Sequence, residues 1–160
     1  MWDLVVVDKE NLIASIEIKS QVGPSFGNNY NNRVEEAIGS ATDIWTAYRE
    51  GAFKPSMRPW LGYIILLEDV PSSTRRVDVK EPYFKILDIF RDTSYSKRYQ
   101  IFCERLMRER LYDATCFIMS NRKQGLLGKY LEPSPELSFE KFAASLMSHA
   151  NAFSKLIDHQ

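Results

Sequence analysis

Three side chains near the start of the chain, Asp3, Glu17 and Lys19, are of the types that cleave phosphodiesters. Two carboxylates can hold a hard divalent cation such as Mg²⁺, which favours carboxylates, carbonyls and water. A lysine two residues past the second acid supplies a compact charge that can orient water and stabilise an anionic transition state. The backbone carbonyl of Ile18 is a further candidate ligand. Adjacent carboxylates repel unless a cation lies between them, so the two acids and the ammonium need one another. A bare Asp…Glu-x-Lys pattern also arises by chance. The bland alternative is a polar hairpin edge with a surface salt bridge.

The elements that must position these groups can be read from the pattern around them. Asp3–Val7 and Leu12–Lys19 are β-rich runs on either side of the turn cluster Asp8-Lys9-Glu10-Asn11, which predicts a β-hairpin. A three-residue loop, Lys9 to Asn11 with Asn11 in the left-handed conformation, pairs Asp8 with Leu12 and Asp3 with Glu17. Paired residues share a face with Cβ atoms ~5 Å apart, and Lys19 shares it by alternation. Leu4, Val6, Ile16 and Ile18 then point to the other face, into a core. Residues 21–32 read as a polar loop, with Gly23, Pro24, Gly27 and asparagines 28, 29, 31 and 32.

From Arg33 the period becomes helical, with Val34, Ala37, Ile38, Ala41, Ile44, Trp45 and Tyr48 on one stripe and Gly51 as a stop. Trp60–Leu67 and Tyr112–Ser120 read as buried strands. Tyr83–Phe90 reads as a short helix and Tyr95–Leu111 as a longer one. A final helix is capped by Ser138, with Phe139, Phe142, Leu146 and Phe153 on its apolar side. Segments 70–82 and 122–132 read as loops. The expected fold class is α/β (α+β): a central mixed β-sheet with helices on both faces. Tyr112, Trp45 and Phe102 read as core, and His149 and His159 are assigned no role.

At 160 residues, with 44% apolar and 26% charged residues, the chain is long enough for one packed domain and is not disordered. No run approaches the ~20 apolar residues of a membrane span, and none resembles a signal peptide. The expectation is no membrane partner. Only two cysteines occur, Cys103 and Cys116; Cys116, in the apolar run Ala114–Met119, reads as a buried thiol, and the pair suggests a cytoplasmic location rather than a disulfide framework. A formal net charge of zero argues mildly against a nucleic-acid ligand. Its distribution softens that, because residues 91–123 carry eight Lys/Arg against four Asp/Glu, a balance of +4. The alternative for that segment is a solvated helix face.

The run Trp2-Asp3-Leu4-Val5-Val6-Val7, then Ile16-Glu17-Ile18-Lys19-Ser20-Gln21-Val22-Gly23-Pro24-Ser25-Phe26-Gly27-Asn28-Asn29, then Arg33, Glu35-Glu36-Ala37 and Gly39 through Gly51, resembles the XhoI family of type II restriction enzymes. The acid-and-lysine part alone is similar to the wider PD-(D/E)xK nuclease group. The stretch after Lys19 is longer and more distinctive. The resemblance implies a homodimeric, Mg²⁺-dependent endonuclease that cuts double-stranded DNA at the palindrome CTCGAG within a restriction-modification system. By motif match, Asp3 and Glu17 are metal ligands and Lys19 is the catalytic lysine. Two features depart from the pattern. Trp2 stands where a proline often precedes the aspartate, and the family's segment before the first strand has no counterpart ahead of Asp3. The expectation is one nuclease core over residues 1–160 without that front segment.

Around this centre, Gln21, Ser25, Asn28, Asn29 and Arg33 are candidate DNA contacts, since amides can read base edges and glycines let backbone approach closely. Arg33 could instead pair with Glu36 or Glu35, and either acid could supply a further metal ligand or lie solvated. Arg75, Arg76, Arg122 and Lys123 are candidate phosphate or base contacts, against a reading as solvated loop cations. Two rival functions stand beside the restriction enzyme: a repair-type nuclease on the same core, and an inactive DNA-binding remnant.

Overall fold

The computed structural model describes residues 2–81 and 83–157. Four strands form one sheet in the order β1 (Leu4–Asp8), β2 (Asn11–Gln21), β3 (Trp60–Glu68), β4 (Ala114–Ser120). The first two are antiparallel, and β2, β3 and β4 run parallel, so the sheet is mixed as expected. The helices are α1 (Phe26–Arg49), α2 (Pro71–Thr74), α3 (Tyr95–Arg108), α4 (Arg122–Gly125) and α5 (Phe139–Ile157), with short 3₁₀ turns at Asp88–Phe90 and Pro135–Leu137.

Both faces of the sheet are covered. On one, Leu61, Tyr63, Ile65, Leu67 and Phe117 pack with Ala37, Ala41, Ile44 and Trp45 of α1 and Tyr99, Phe102 and Leu106 of α3. On the other, Ala14, Ile16, Trp60, Ala114 and Cys116 pack against Phe142 of α5. Trp60 also donates its indole N–H to Ser145 of α5 at 3.0 Å. Gly62 allows this close approach, because a Cβ there would stand 2.5 Å from the Trp60 ring and 2.6 Å from Phe142.

The hairpin forms with a different turn. Leu4 pairs with Ile16, Val5 with Ser15 and Val6 with Ala14, the expected register. The register then shifts, so that Val7 meets Leu12 and Asp8 meets Asn11. The loop is therefore two residues, and Lys9, not Asn11, takes the left-handed conformation at φ 53°. A bulge absorbs the extra residue and preserves the register near the site. Leu4 and Ile18 were expected in the core but are about half exposed. The α5 layer covers Ala14 and Ile16 and does not extend over the end of β2.

Helix α1 begins at Phe26, seven positions before Arg33, so most of the expected 21–32 loop is helical. Its asparagines and glycine are poor helix formers, but tertiary packing overrides propensity. Phe26 is buried and stacks on Tyr95, and Tyr30 meets Tyr99 edge-on. Gly51 ends the helix as expected, at φ 83°. Over Tyr83–Phe90 only the turn at Asp88–Phe90 forms, and Tyr83 and Phe84 are exposed. Ser138 caps α5 by accepting from the Lys141 N–H at 3.3 Å, whereas Phe139 is half exposed. His159 lies outside the described residues.

Candidate active site

The hairpin places Asp3 just before β1 and Glu17 and Lys19 two apart on β2. Lys19 Nζ lies 3.0 Å from Glu17 Oε1 and 3.8 Å from Asp3 Oδ2. The three side chains converge, as the pairing of Asp3 with Glu17 predicts. Their face is the one packed by α1 and α3, since Glu17 is in register with Tyr63 of that core.

Burial differs sharply among the three. Glu17 is 4% exposed, whereas Asp3 is open and Lys19 lies between. A buried carboxylate is costly unless hydrogen-bonded or paired. Glu17 has both kinds of partner: Lys19 on Oε1 and the Tyr112 hydroxyl, which donates to Oε2 at 3.0 Å. Burial first, then the charge of Glu17 and the hydrogen bond to it, hold the Tyr112 phenol well above its ordinary pKa, so it remains a donor.

Asp3 is fixed through the backbone of β2. Its Oδ2 accepts from the Ile18 N–H at 2.8 Å. Because β1 starts at Leu4 opposite Ile16, this carboxylate takes the place of a further rung of the ladder. A strand residue turns its carbonyl to the same side as its own N–H. The Ile18 carbonyl therefore faces the edge where Asp3 stands. Two carboxylates and one carbonyl, all hard oxygen donors, suit Mg²⁺ in kind. Among the described residues no three His, Cys, Asp or Glu side chains gather in a metal-binding group, so the backbone oxygen would complete the set.

The other candidates are dispersed. Gln21 is 2% exposed, its amide donating to the Val22 carbonyl at 2.8 Å and accepting from the Tyr99 hydroxyl at 3.4 Å. Ser25 is the residue before α1 and makes no side-chain cap there. Asn28 and Asn29 occupy the first turn of α1, the former exposed. Arg33 pairs with Glu36, one turn on. Glu35 is exposed on the same helix. Arg75 ends α2 and is exposed, and Arg76 pairs with Asp92. Arg122 reaches Glu68 at 3.7 Å, and Lys123 is exposed beside it on α4.

Two residues that the sequence does not single out organise the site. Tyr112 reads as core by its apolar neighbours, and nothing in its spacing shows that its hydroxyl meets Glu17. Glu68, at the end of β3, accepts from the Gly23 N–H at 2.9 Å and also faces Arg122. It thereby joins the turn after Lys19 to the segment after β4. A hollow of about 520 Å³ adjoins the site, lined by Trp2, Ser15 and Phe53, and another of about 470 Å³ lies beside Asn121 and Tyr130.

A family model described as restriction endonuclease XhoI matches residues 1–132. The chain belongs to the XhoI restriction-endonuclease family. Its relatives include the type II restriction enzyme BstVI of Geobacillus stearothermophilus, 50% identical over 161 residues that cover 98% of this chain and 72% of the relative. The type II restriction enzyme AbrI of Azospirillum brasilense is 58% identical over 85 residues, 53% of this chain and 38% of the relative. The type II restriction enzyme XhoI of Xanthomonas vasicola is 47% identical over 107 residues, 67% of this chain and 43% of the relative. The matched stretches thus span less than half of these last two. No solved structure matches with significance. XhoI-family membership makes this an endonuclease chain of the type II restriction class, and among the described residues no helix is long and apolar enough to cross a membrane.

Proposed function

We propose that the chain is a Mg²⁺-dependent endonuclease that cuts double-stranded DNA at CTCGAG as a homodimer, with Asp3, Glu17 and Lys19 as its catalytic centre. The observation that carries this reading is the convergence of Lys19 Nζ on Glu17 at 3.0 Å and Asp3 at 3.8 Å, within a chain of the XhoI family. The sequence specificity rests on the likeness to named XhoI-type relatives.

Asp3, Glu17 and the Ile18 carbonyl would hold the cation. When bound, Mg²⁺ neutralises charge on the scissile phosphate and lowers the pKa of a coordinated water. Lys19 orients the attacking water by hydrogen bonding and stabilises the added negative charge of the in-line transition state. Burial of Glu17 keeps its carboxylate fixed before substrate arrives, so the centre needs little reorganisation. The uncommitted Ser25 and the asparagines on the first turn of α1 offer polar contacts at a helix N-terminus, which favours phosphate. Arg33, Arg75, Arg76, Arg122 and Lys123 add positive charge for the backbone and base edges, and Gln21 acts from beneath by holding the end of β2.

The test is cleavage of a plasmid with a single CTCGAG site beside one in which one base pair of that site is changed, with Mg²⁺ and with EDTA. Linearisation of the first plasmid only, and only with Mg²⁺, is expected. Equal cutting of both plasmids would remove the sequence specificity and favour a nuclease of another role. Cutting in EDTA would remove the metal.

A further inference from the structure

Tyr112 makes more contacts to the catalytic centre than its position in the chain suggests. It stands just before β4, 95 residues from Glu17, and is 2% exposed. Its hydroxyl lies 3.0 Å from Glu17 Oε2 and 2.9 Å from the Ala37 carbonyl of α1. A hydroxyl has one proton to give. The Ala37 carbonyl already lies within a continuous helix, where the backbone four residues on supplies a donor. The carboxylate is charged and accepts the stronger bond. The proton therefore belongs to Glu17. The ring packs between Trp2, at 6.3 Å between centroids, and Tyr63, at 5.5 Å. Trp2 directly precedes Asp3. One side chain thus touches Glu17 through its hydroxyl and the segment that presents Asp3 through its ring.

We infer that Tyr112 is a positioning residue for the cation site: it pins Glu17 Oε2, which leaves Oε1 turned toward Lys19 and the incoming cation. Without that bond the Glu17 carboxylate can rotate, and its second oxygen is buried without a donor. Partners that orient a metal ligand typically change affinity or activity 10–100-fold when removed. This inference rests on the reading of Asp3 and Glu17 as cation ligands.

The test uses the whole chain and Tyr112→Phe, which keeps the ring contacts to Trp2 and Tyr63. Tb³⁺ luminescence, excited through the neighbouring Trp2, reports cation binding directly, and Mg²⁺ is added as a competitor. Melting temperatures are taken with and without Mg²⁺, and Glu17→Gln is the control for the site itself. The expected result is a 10–100-fold weaker affinity for both cations in Tyr112→Phe, a cleavage rate that recovers at high Mg²⁺, and a smaller Mg²⁺-induced rise in melting temperature. A merely structural hydroxyl would lower the melting temperature equally with and without Mg²⁺ and leave the affinity unchanged, which overturns the inference. If Glu17→Gln abolishes binding while Tyr112→Phe binds as wild type, only the role of Tyr112 falls. If Glu17→Gln itself binds as wild type, the carboxylate is no ligand, and the reading of the site falls with it. Should Tyr112→Phe fail to reach the native circular dichroism spectrum, Tyr112→Trp, whose indole N–H can replace the lost donor, and Tyr112→Leu, which has none, carry the comparison: wild-type affinity in the first with a 10–100-fold loss in the second supports the inference, and wild-type affinity in both contradicts it.

Discussion

At the scale of single residues, the centre depends on how Glu17 is satisfied. Its two oxygens have separate partners, an ammonium and a phenol, and both come from side chains that can be changed without removing the carboxylate. Loss of a transition-state donor commonly costs 10²–10³ in rate, so Lys19→Ala should reduce cleavage by about that factor or more in single-turnover assays. Glu17→Gln keeps the volume and loses the charge. It should abolish cleavage and destabilise by about 1–3 kcal/mol, because the amide offers one acceptor oxygen to two donors, Lys19 and the Tyr112 hydroxyl; urea denaturation measures this. The acids and lysine were legible in the sequence because they lie close together in the chain and period-2 alternation fixes their shared face. Tyr112 was not legible, because its contact with Glu17 is made only when β4 aligns with β3, and an aromatic at the start of a buried strand looks like core.

At the scale of elements, the turn after Lys19 and the segment after β4 meet through Glu68. Arg122 and Lys123 extend from that junction on α4. If they contact phosphate, Arg122→Ala and Lys123→Ala should each weaken binding of any DNA sequence and reduce the slope of log affinity against log salt by about 1. An unchanged slope in a fluorescence-anisotropy titration would assign them to solvent. The sheet's other face can be probed through Gly62, where an added methyl would enter the Trp60 and Phe142 rings. Gly62→Ala should destabilise by about 1–3 kcal/mol, read by thermal or urea unfolding. Strand order by chain position was recoverable from apolar runs, since buried parallel strands are continuous and apolar. The start of α1 was hidden for the opposite reason. Glycine and asparagine mark a loop by local preference, and only Phe26 and Tyr30 packing against α3 makes the segment helical.

For the whole molecule, charge is balanced overall and a buried set of thiols and phenols sets its alkaline limit. Burial, aided by Glu132, pushes the Cys116 thiol up to about 12, and burial pushes the Tyr30 phenol up to about 12. Cys103, Tyr63 and Tyr99 are raised in the same direction, chiefly by burial. These groups keep their protons in the fold and lose them at ordinary values when unfolded. The stability they confer is therefore complete below about pH 8.5 and is lost as pH rises toward about 12. The melting temperature should fall steadily over that window, and the two thiols should resist alkylation at pH 8 until the chain unfolds. Rapid native labelling of Cys103 would show that the core between α3 and the sheet is open, and of Cys116 that the core beneath α5 is open.

The central claim is that Asp3, Glu17 and Lys19 form the hydrolytic centre, and wild type beside Lys19→Ala on a single-site CTCGAG plasmid in Mg²⁺ tests it most directly. The account predicts discrete linearisation by wild type and its loss in a folded Lys19→Ala. Equal cleavage by the two proteins would contradict it, because the chemistry would then reside elsewhere in the chain.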